Sequence, residues 1–256
     1  MPTRDQTPIG APVWVDLMTS DPAGARAFYR TLLGWESEEP NAEFGGYSNF
    51  TLGDARIAGC MGAMDPAMPD VWSVYLATDD IARTVRDAVA HGGQVIVEPM
   101  AVGDLGWMAV MIDAGGAAVG TWQPGAHRGF GVIAEPGAPS WFELHSRDYD
   151  ASLGFYRDVF GWTLRTESDA PEFRYTVFDR DDEQHAGIMD ASGFLPEGVP
   201  AHWTVYFGTA DADASVATLT AARGSVVQPA EDTPYGRVAT VADPTGAMFR
   251  LVQPPT

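Results

Sequence analysis

Short β-branched and aromatic stretches alternate along this chain with amphipathic segments, and the two periods separate strands from helices. The pattern predicts a strand over 12–18, a helix from about Asp21 to Leu33, and strands near 46–52 and 56–62. It then restarts with a strand over 71–77, a helix from about Asp80 to His91, and strands near 94–98, 107–112 and 117–122. Asp21 is the expected N-cap of the first helix and Gly34 its stop, while Gly92-Gly93 ends the second. The same order returns over 139–145, 148–160, 173–189, 202–208, 211–222 and 225–252.

The repetition extends to the residues themselves. WVDLMTSDPAGARAFYRTLLGW (14–35) aligns with WFELHSRDYDASLGFYRDVFGW (141–162), VWSVYLATDD (71–80) with HWTVYFGTAD (202–211), and IDAGGAAVGTWQP (112–124) with ADPTGAMFRLVQP (242–254). The offsets drift only from 127 to 131, so the chain reads as a tandem duplication of a unit of about 120 residues. This divides it into a tail (1–10), a first domain (11–124), a Gly-rich linker (125–137) and a second domain (138–256).

Composition narrows the partners. Forty-five per cent hydrophobic residues suffice for a real core, and the formal charge of -20 repels nucleic acid phosphates and anionic lipid. Every basic residue is arginine, which removes lysine Schiff-base and P-loop chemistry. Cys60 is the single cysteine, so no internal disulfide forms, and it reads as a small buried hydrophobe. MPTRDQTPIG lacks an apolar signal core, and no window approaches 18 apolar residues. A cytoplasmic location is the expectation.

A first strand followed by Asp and FYRxxLGW, a DD-opened helix ending in GG, and a closing D-P-x-G resemble the glyoxalase, bleomycin-resistance and extradiol dioxygenase superfamily, also called vicinal oxygen chelate. The resemblance covers both units. It implies an α+β fold: two tandem domains, each of two βαβββ modules forming a curved mixed sheet, with helices on the convex face and a cavity on the concave one. It also implies a divalent metal acting as Lewis acid. The family places the ligands seven residues before each helix-opening Asp and seven after the closing Asp. Those positions hold Trp14, Trp141, Ser73, Thr204, Gly120 and Arg250. None is a good ligand, and Arg250 would repel a metal. No metal and no other cofactor is expected.

Strand parity puts Trp14, Asp16 and Met18 on one face, and Trp141, Glu143 and His145 on the matching face of the second unit. Trp14, Asp16, Ser73, Tyr75, Trp122, Trp141, Thr204 and Tyr206 are the candidate ligand-binding residues, their aromatic faces suited to a planar ligand. Asp16 and Glu143 read equally as hydrogen-bonding groups between modules. Trp72 and Trp203 have the opposite parity and are expected beneath a helix.

Only the second unit adds an imidazole and a guanidinium to its carboxylate: Glu143, His145 and Arg250 are the candidate catalytic residues, with His145 or Glu143 as base. Two readings follow. The first is a binding protein for an aromatic or polycyclic oxygen-rich small molecule; the alternative is a metal-independent isomerase, lyase or cyclase. A metal-dependent glyoxalase or dioxygenase ranks behind both. His91, His127 and His185 are expected in solvated positions, His202 near a cavity rim, and DRDDEQH (179–185) at a charged hairpin tip. A monomer with pseudo-dimeric domains and a homodimer are both compatible with the repeat.

Overall fold

A computed structural model describes residues 7–63, 65, 67–180 and 183–255. The first six residues of the expected tail, residues 181 and 182 of the hairpin tip, and residue 256 of the second domain lie outside the described residues.

The first half runs β1 (Pro12–Thr19), α1 (Pro22–Leu33), β2 (Glu36–Ser37), β3 (Ser48–Leu52), β4 (Ala55–Gly62), β5 (Val71–Ala77), α2 (Ile81–Ala90), β6 (Gln94–Val102), β7 (Gly106–Ile112) and β8 (Ala118–Pro124). The second runs β9 (Pro139–Ser146), α3 (Tyr149–Phe160), β10 (Leu164–Ala170), β11 (Phe173–Arg180), β12 (Glu183–Asp190), β13 (His202–Gly208), α4 (Ala212–Ala221), β14 (Ser225–Thr233), β15 (Gly236–Ala242) and β16 (Met248–Gln253). Each half is one eight-stranded mixed sheet, β2-β3-β4-β1-β5-β8-β7-β6 and β10-β11-β12-β9-β13-β16-β15-β14. Two βαβββ modules meet at the antiparallel β1–β5 pair in one half and at β9–β13 in the other.

Local chemistry sets the helix ends. Asp21 accepts from the Gly24 amide and Asp148 from the Ala151 amide, while Gly34 and Gly161 close α1 and α3 in the left-handed conformation that glycine adopts without strain. Trp72 and Trp203 lie on the helix side, as parity requires. Each indole donates to a helix tyrosine, Tyr29 at 3.0 Å and Tyr156 at 2.9 Å.

Those tyrosines join the halves. Tyr29 in α1 donates to Asp243 of the second half at 3.2 Å, and Tyr156 in α3 donates to Asp113 of the first at 2.7 Å. Trp35 donates to the Gly137 carbonyl and Trp162 to the Gly10 carbonyl. Helices α1 and α2 pack against α4 and α3 respectively. The repeated FYR…GW and closing-Asp motifs are therefore the reciprocal contact between the two units, arranged about an approximate twofold.

The Gly-rich segment 125–137 is packed rather than free. Phe130 and Val132 are buried, the Phe130 amide donates to Val13, and the Gly131 amide donates to Arg56. Two histidines expected in solvated positions are consequently packed against rings instead, His185 buried and His127 half-buried. His127 is wedged among aromatic rings, and His185 is a buried residue of β12 with its ring 5.3 Å from Phe178. Both segments read as polar turns because their apolar contacts come from distant residues. His91 is exposed at the end of α2, as expected.

Candidate functional site: a caged carboxylate on each concave face

Each sheet holds one carboxylate in a cage of aromatic donors. In the first half, Asp16 Oδ1 accepts from the Trp14 indole at 3.0 Å and the Tyr47 hydroxyl at 2.8 Å, and Tyr75 adds a further hydrogen bond. Burial raises the Asp16 pKa; the bonds from Tyr47, Tyr75 and Trp14 oppose it without cancelling it. Ser73 lies opposite Asp16 in register.

The second half repeats the cage and adds charge. Glu143 Oε1 accepts from His145 Nε2 at 2.8 Å, the Tyr206 hydroxyl at 2.8 Å and an Arg250 guanidinium nitrogen at 3.2 Å. Arg250 also donates to the Tyr206 hydroxyl, and its guanidinium lies 5.1 Å from that ring's centre. Tyr175 accepts from the Trp141 indole at 3.0 Å and bonds to Glu143. Thr204 lies opposite Glu143, and His202, half-buried, sits 5.0 Å from the His145 ring. Burial would raise the Glu143 pKa, but the hydrogen bond and charge of His145, the charge of Arg250 and the Tyr206 bond outweigh it and hold the carboxyl below its ordinary range.

Parity thus finds most of each cluster and misses Tyr47 and Tyr175. These come from the β3 and β11 regions, two strands away from the carboxylates, and reach them over the glycine of the intervening strand. A Cβ on Gly59 would sit 1.9 Å from the Tyr47 hydroxyl, and one on Gly187 would sit 2.0 Å from the Tyr175 hydroxyl. The signal was present in the repeat: YSNF (47–50) and YTVF (175–178) align at an offset of 128.

The candidates of the first half are occupied by their own chain. His127 packs edge-on to Trp14 at 4.4 Å and to Trp122 at 5.6 Å, Phe130 lies 5.6 Å from Trp14, and the Trp122 indole donates to the His127 carbonyl. Burial, with repulsion from Arg56 and against the attraction of Glu38, pushes the His127 pKa down to about 4. This has a measurable consequence. The folded state resists a proton that the unfolded chain takes up near pH 6.5, so the contribution of His127 is intact above that pH and falls away between about 6.5 and 4. The loss is on the order of 3 kcal/mol at most. Urea titrations at pH 7 and 5 should show it in the wild-type chain and a smaller loss in His127→Asn.

Neither cluster fits a catalytic metal. The second offers one carboxylate and one imidazole, already bonded to each other, with a guanidinium where a further ligand would stand. Among the described residues no group of three or more His, Cys, Asp or Glu side chains is placed to hold an ion.

Four βαβββ modules, paired into two curved sheets with a polar cluster on each, define a tandem vicinal oxygen chelate fold. The chain belongs to the glyoxalase/bleomycin resistance protein/dioxygenase superfamily: that family's model matches residues 139–251, and the model of a glyoxalase-like domain matches 13–132. It is 38% identical to the "Putative glyoxylase CFP32" of Mycobacterium tuberculosis, over 99% of this chain and 98% of that one. It is 34% identical to the anthracycline biosynthesis protein DauV of Streptomyces sp. (strain C5), over 95% and 93%. Among solved structures, the 2,3-dioxygenase LapB from Pseudomonas sp. KL28 shares the fold, with a TM-score of 0.68, 14% identity and coverage of 98% and 94%.

Proposed function

We propose that the second domain binds a planar, oxygen-rich small molecule, with an anionic or carbonyl oxygen at Arg250. The observation that carries this reading is a cleft of about 200 Å³ between β14, β15 and β16, lined by Gln228, Glu231, Thr233, Val238, Thr240 and Arg250. Arg250 Nε, buried beside it, finds no acceptor among the described residues, and a buried unpaired donor is costly until something accepts from it. Two exposed aromatics, Tyr235 and Phe173, flank the buried Tyr175: Tyr235 lies 6.5 Å from its ring, and Phe173 is stacked on it. Such rings suit a flat ligand. The likeness to a protein named for the biosynthesis of anthracyclines, which are polycyclic and oxygen-rich, supports the same class.

The reading favours the second half because the faces of Trp14 and Trp122 are already covered. It takes the chain as acting alone in the cytoplasm, each half burying a face that a single-domain relative would set against a second copy. No helix among the described residues is long and apolar enough to cross a membrane.

The test is a titration with 1,4-dihydroxyanthraquinone, followed by its visible absorbance. Arg250→Met should weaken binding by about 10- to 100-fold, the worth of a charge-assisted hydrogen bond. Equal affinity in wild-type and variant chains would place the ligand elsewhere.

A further inference from the structure

We propose that the second sheet carries a metal site of its own, where β9 ends and β13 begins: one copper(I) ion bound by His145 and His202, with the Met189 thioether as third ligand. The site is separate from the cleft at Arg250 and does not depend on what that cleft binds.

Strand register brings the three side chains together. His145 of β9 stands directly opposite His202 of β13 on one side and Met189 of β12 on the other. Residues paired across strands in this way project from the same face of a sheet, so two imidazoles and a thioether form one row. The ring centres of His145 and His202 are 5.0 Å apart. Two imidazoles that share a metal, each nitrogen about 2.0 Å from it at a trigonal or tetrahedral angle, hold their ring centres about 5–5.5 Å apart.

Hydrogen bonding fixes which ring nitrogens are free to ligate. His145 Nε2 lies 2.8 Å from Glu143 Oε1, and His202 Nδ1 lies 3.0 Å from the Pro200 carbonyl. Both oxygens are acceptors, so each of these nitrogens carries a hydrogen, and the neutral rings keep their lone pairs on His145 Nδ1 and His202 Nε2. Neither of those two nitrogens has a hydrogen-bond partner among the described residues. A histidine that donates one N–H to a carboxylate or carbonyl and offers its other nitrogen is oriented as metal-binding histidines are. The loop that bears Pro200 is pinned in turn, since Arg147 donates to the carbonyls of Leu195, Pro196 and Val199.

The repeat shows that the fold does not require these residues. The matching row of the first half is Met61, Met18 and Val71, in the same register. It offers no nitrogen. The second half keeps the methionine and has histidine at the other two places.

The surroundings select the ion. A thioether is a soft ligand that favours copper(I) over harder ions. Arg147 and Arg250 both act on His202 with positive charge, which opposes a divalent ion more than a monovalent one. His145 is 5% exposed, with the Phe194 ring 6.1 Å away, so little water competes for the place. This is not the Lewis-acid centre that the family implies, whose ligand positions in the second half hold Trp141, Thr204 and Arg250.

The test is a competition for copper(I) between the full chain and the chromogenic chelator ferrozine, with ascorbate present. The wild-type chain should withdraw one equivalent. His202→Gln, at a half-buried position that the core does not need, should weaken binding by at least about 100-fold, since loss of an orienting partner alone costs about 10- to 100-fold. X-ray absorption of the copper-loaded wild-type chain should show two nitrogen neighbours and one sulfur, and Met189→Leu should remove the sulfur. A wild-type chain that takes no copper from the chelator overturns the inference. So does a His202→Gln chain that binds as tightly as wild type, or a sulfur neighbour that survives Met189→Leu.

Discussion

Trp162→Ala is expected to lower the free energy of unfolding by about 3–5 kcal/mol. Trp162 is 3% exposed, stacks on Phe178 at 4.9 Å, packs 4.8 Å from Tyr156, and donates to the Gly10 carbonyl in the other half. Alanine empties that volume beside the Tyr156–Asp113 bond, itself one of the ties between halves. Trp162→Phe retains most of the apolar contact and forfeits the indole bond, an expected loss of about 1 kcal/mol. Urea unfolding with linear extrapolation measures both. Because the contact is reciprocal, Trp35→Ala should cost a comparable amount, its indole donating to Gly137 and its ring lying 5.0 Å from Phe207 of the second half. A loss under 1 kcal/mol in both alanine variants would show that the halves do not depend on each other's tryptophans.

The repeat and the buried strands were legible because their signal is local. Cap residues Asp21 and Asp148, the glycine stops, and the parity of β1, β5, β9 and β13 all depend on near neighbours in the chain. The edge strands were not legible in the same way. Strand β10, LRTESDA, is mostly exposed and shows no apolar alternation, so no expected strand covered it, while β14, SVVQPAEDT, fell within the expected strands over 225–252 although Pro229 interrupts its alternation. Parity brought Glu143 and Tyr206 to one face and the family's ligand spacing added Arg250, and the structure adds why they meet: register pairs Tyr206 with Arg250 and with Trp141. Tyr47 and Tyr175 escaped because no single-strand pattern reports a contact made over an intervening glycine. His127 escaped because composition reads GAHRGFG as solvated, whereas its position is decided by Trp14 and Trp122.

The repeat also turns one substitution into a controlled comparison. Glu143→Ala should destabilise the fold by about 3–5 kcal/mol, because it leaves the Arg250 charge with no carboxylate and removes the acceptor of His145 and Tyr206. Asp16→Ala, its counterpart, strands only neutral donors and should cost about 1–3 kcal/mol. Adding Arg250→Met to Glu143→Ala should recover part of the loss, since the unpaired cation is then gone, and the double-mutant cycle reads the coupling directly. The pH dependence has a definite sign. The Glu143 pKa is lower folded than unfolded, so its contribution is full above the ordinary glutamate range and disappears as the pH falls through the folded value. Asp16 runs the other way: its raised pKa makes the ionised form unfavourable in the folded state, so acid relieves it. Stability measured from pH 7 to pH 3 should therefore fall less steeply in Glu143→Gln than in the wild-type chain, and more steeply in Asp16→Asn. The same slope in all three proteins would mean that neither caged carboxylate carries the charge state assigned to it.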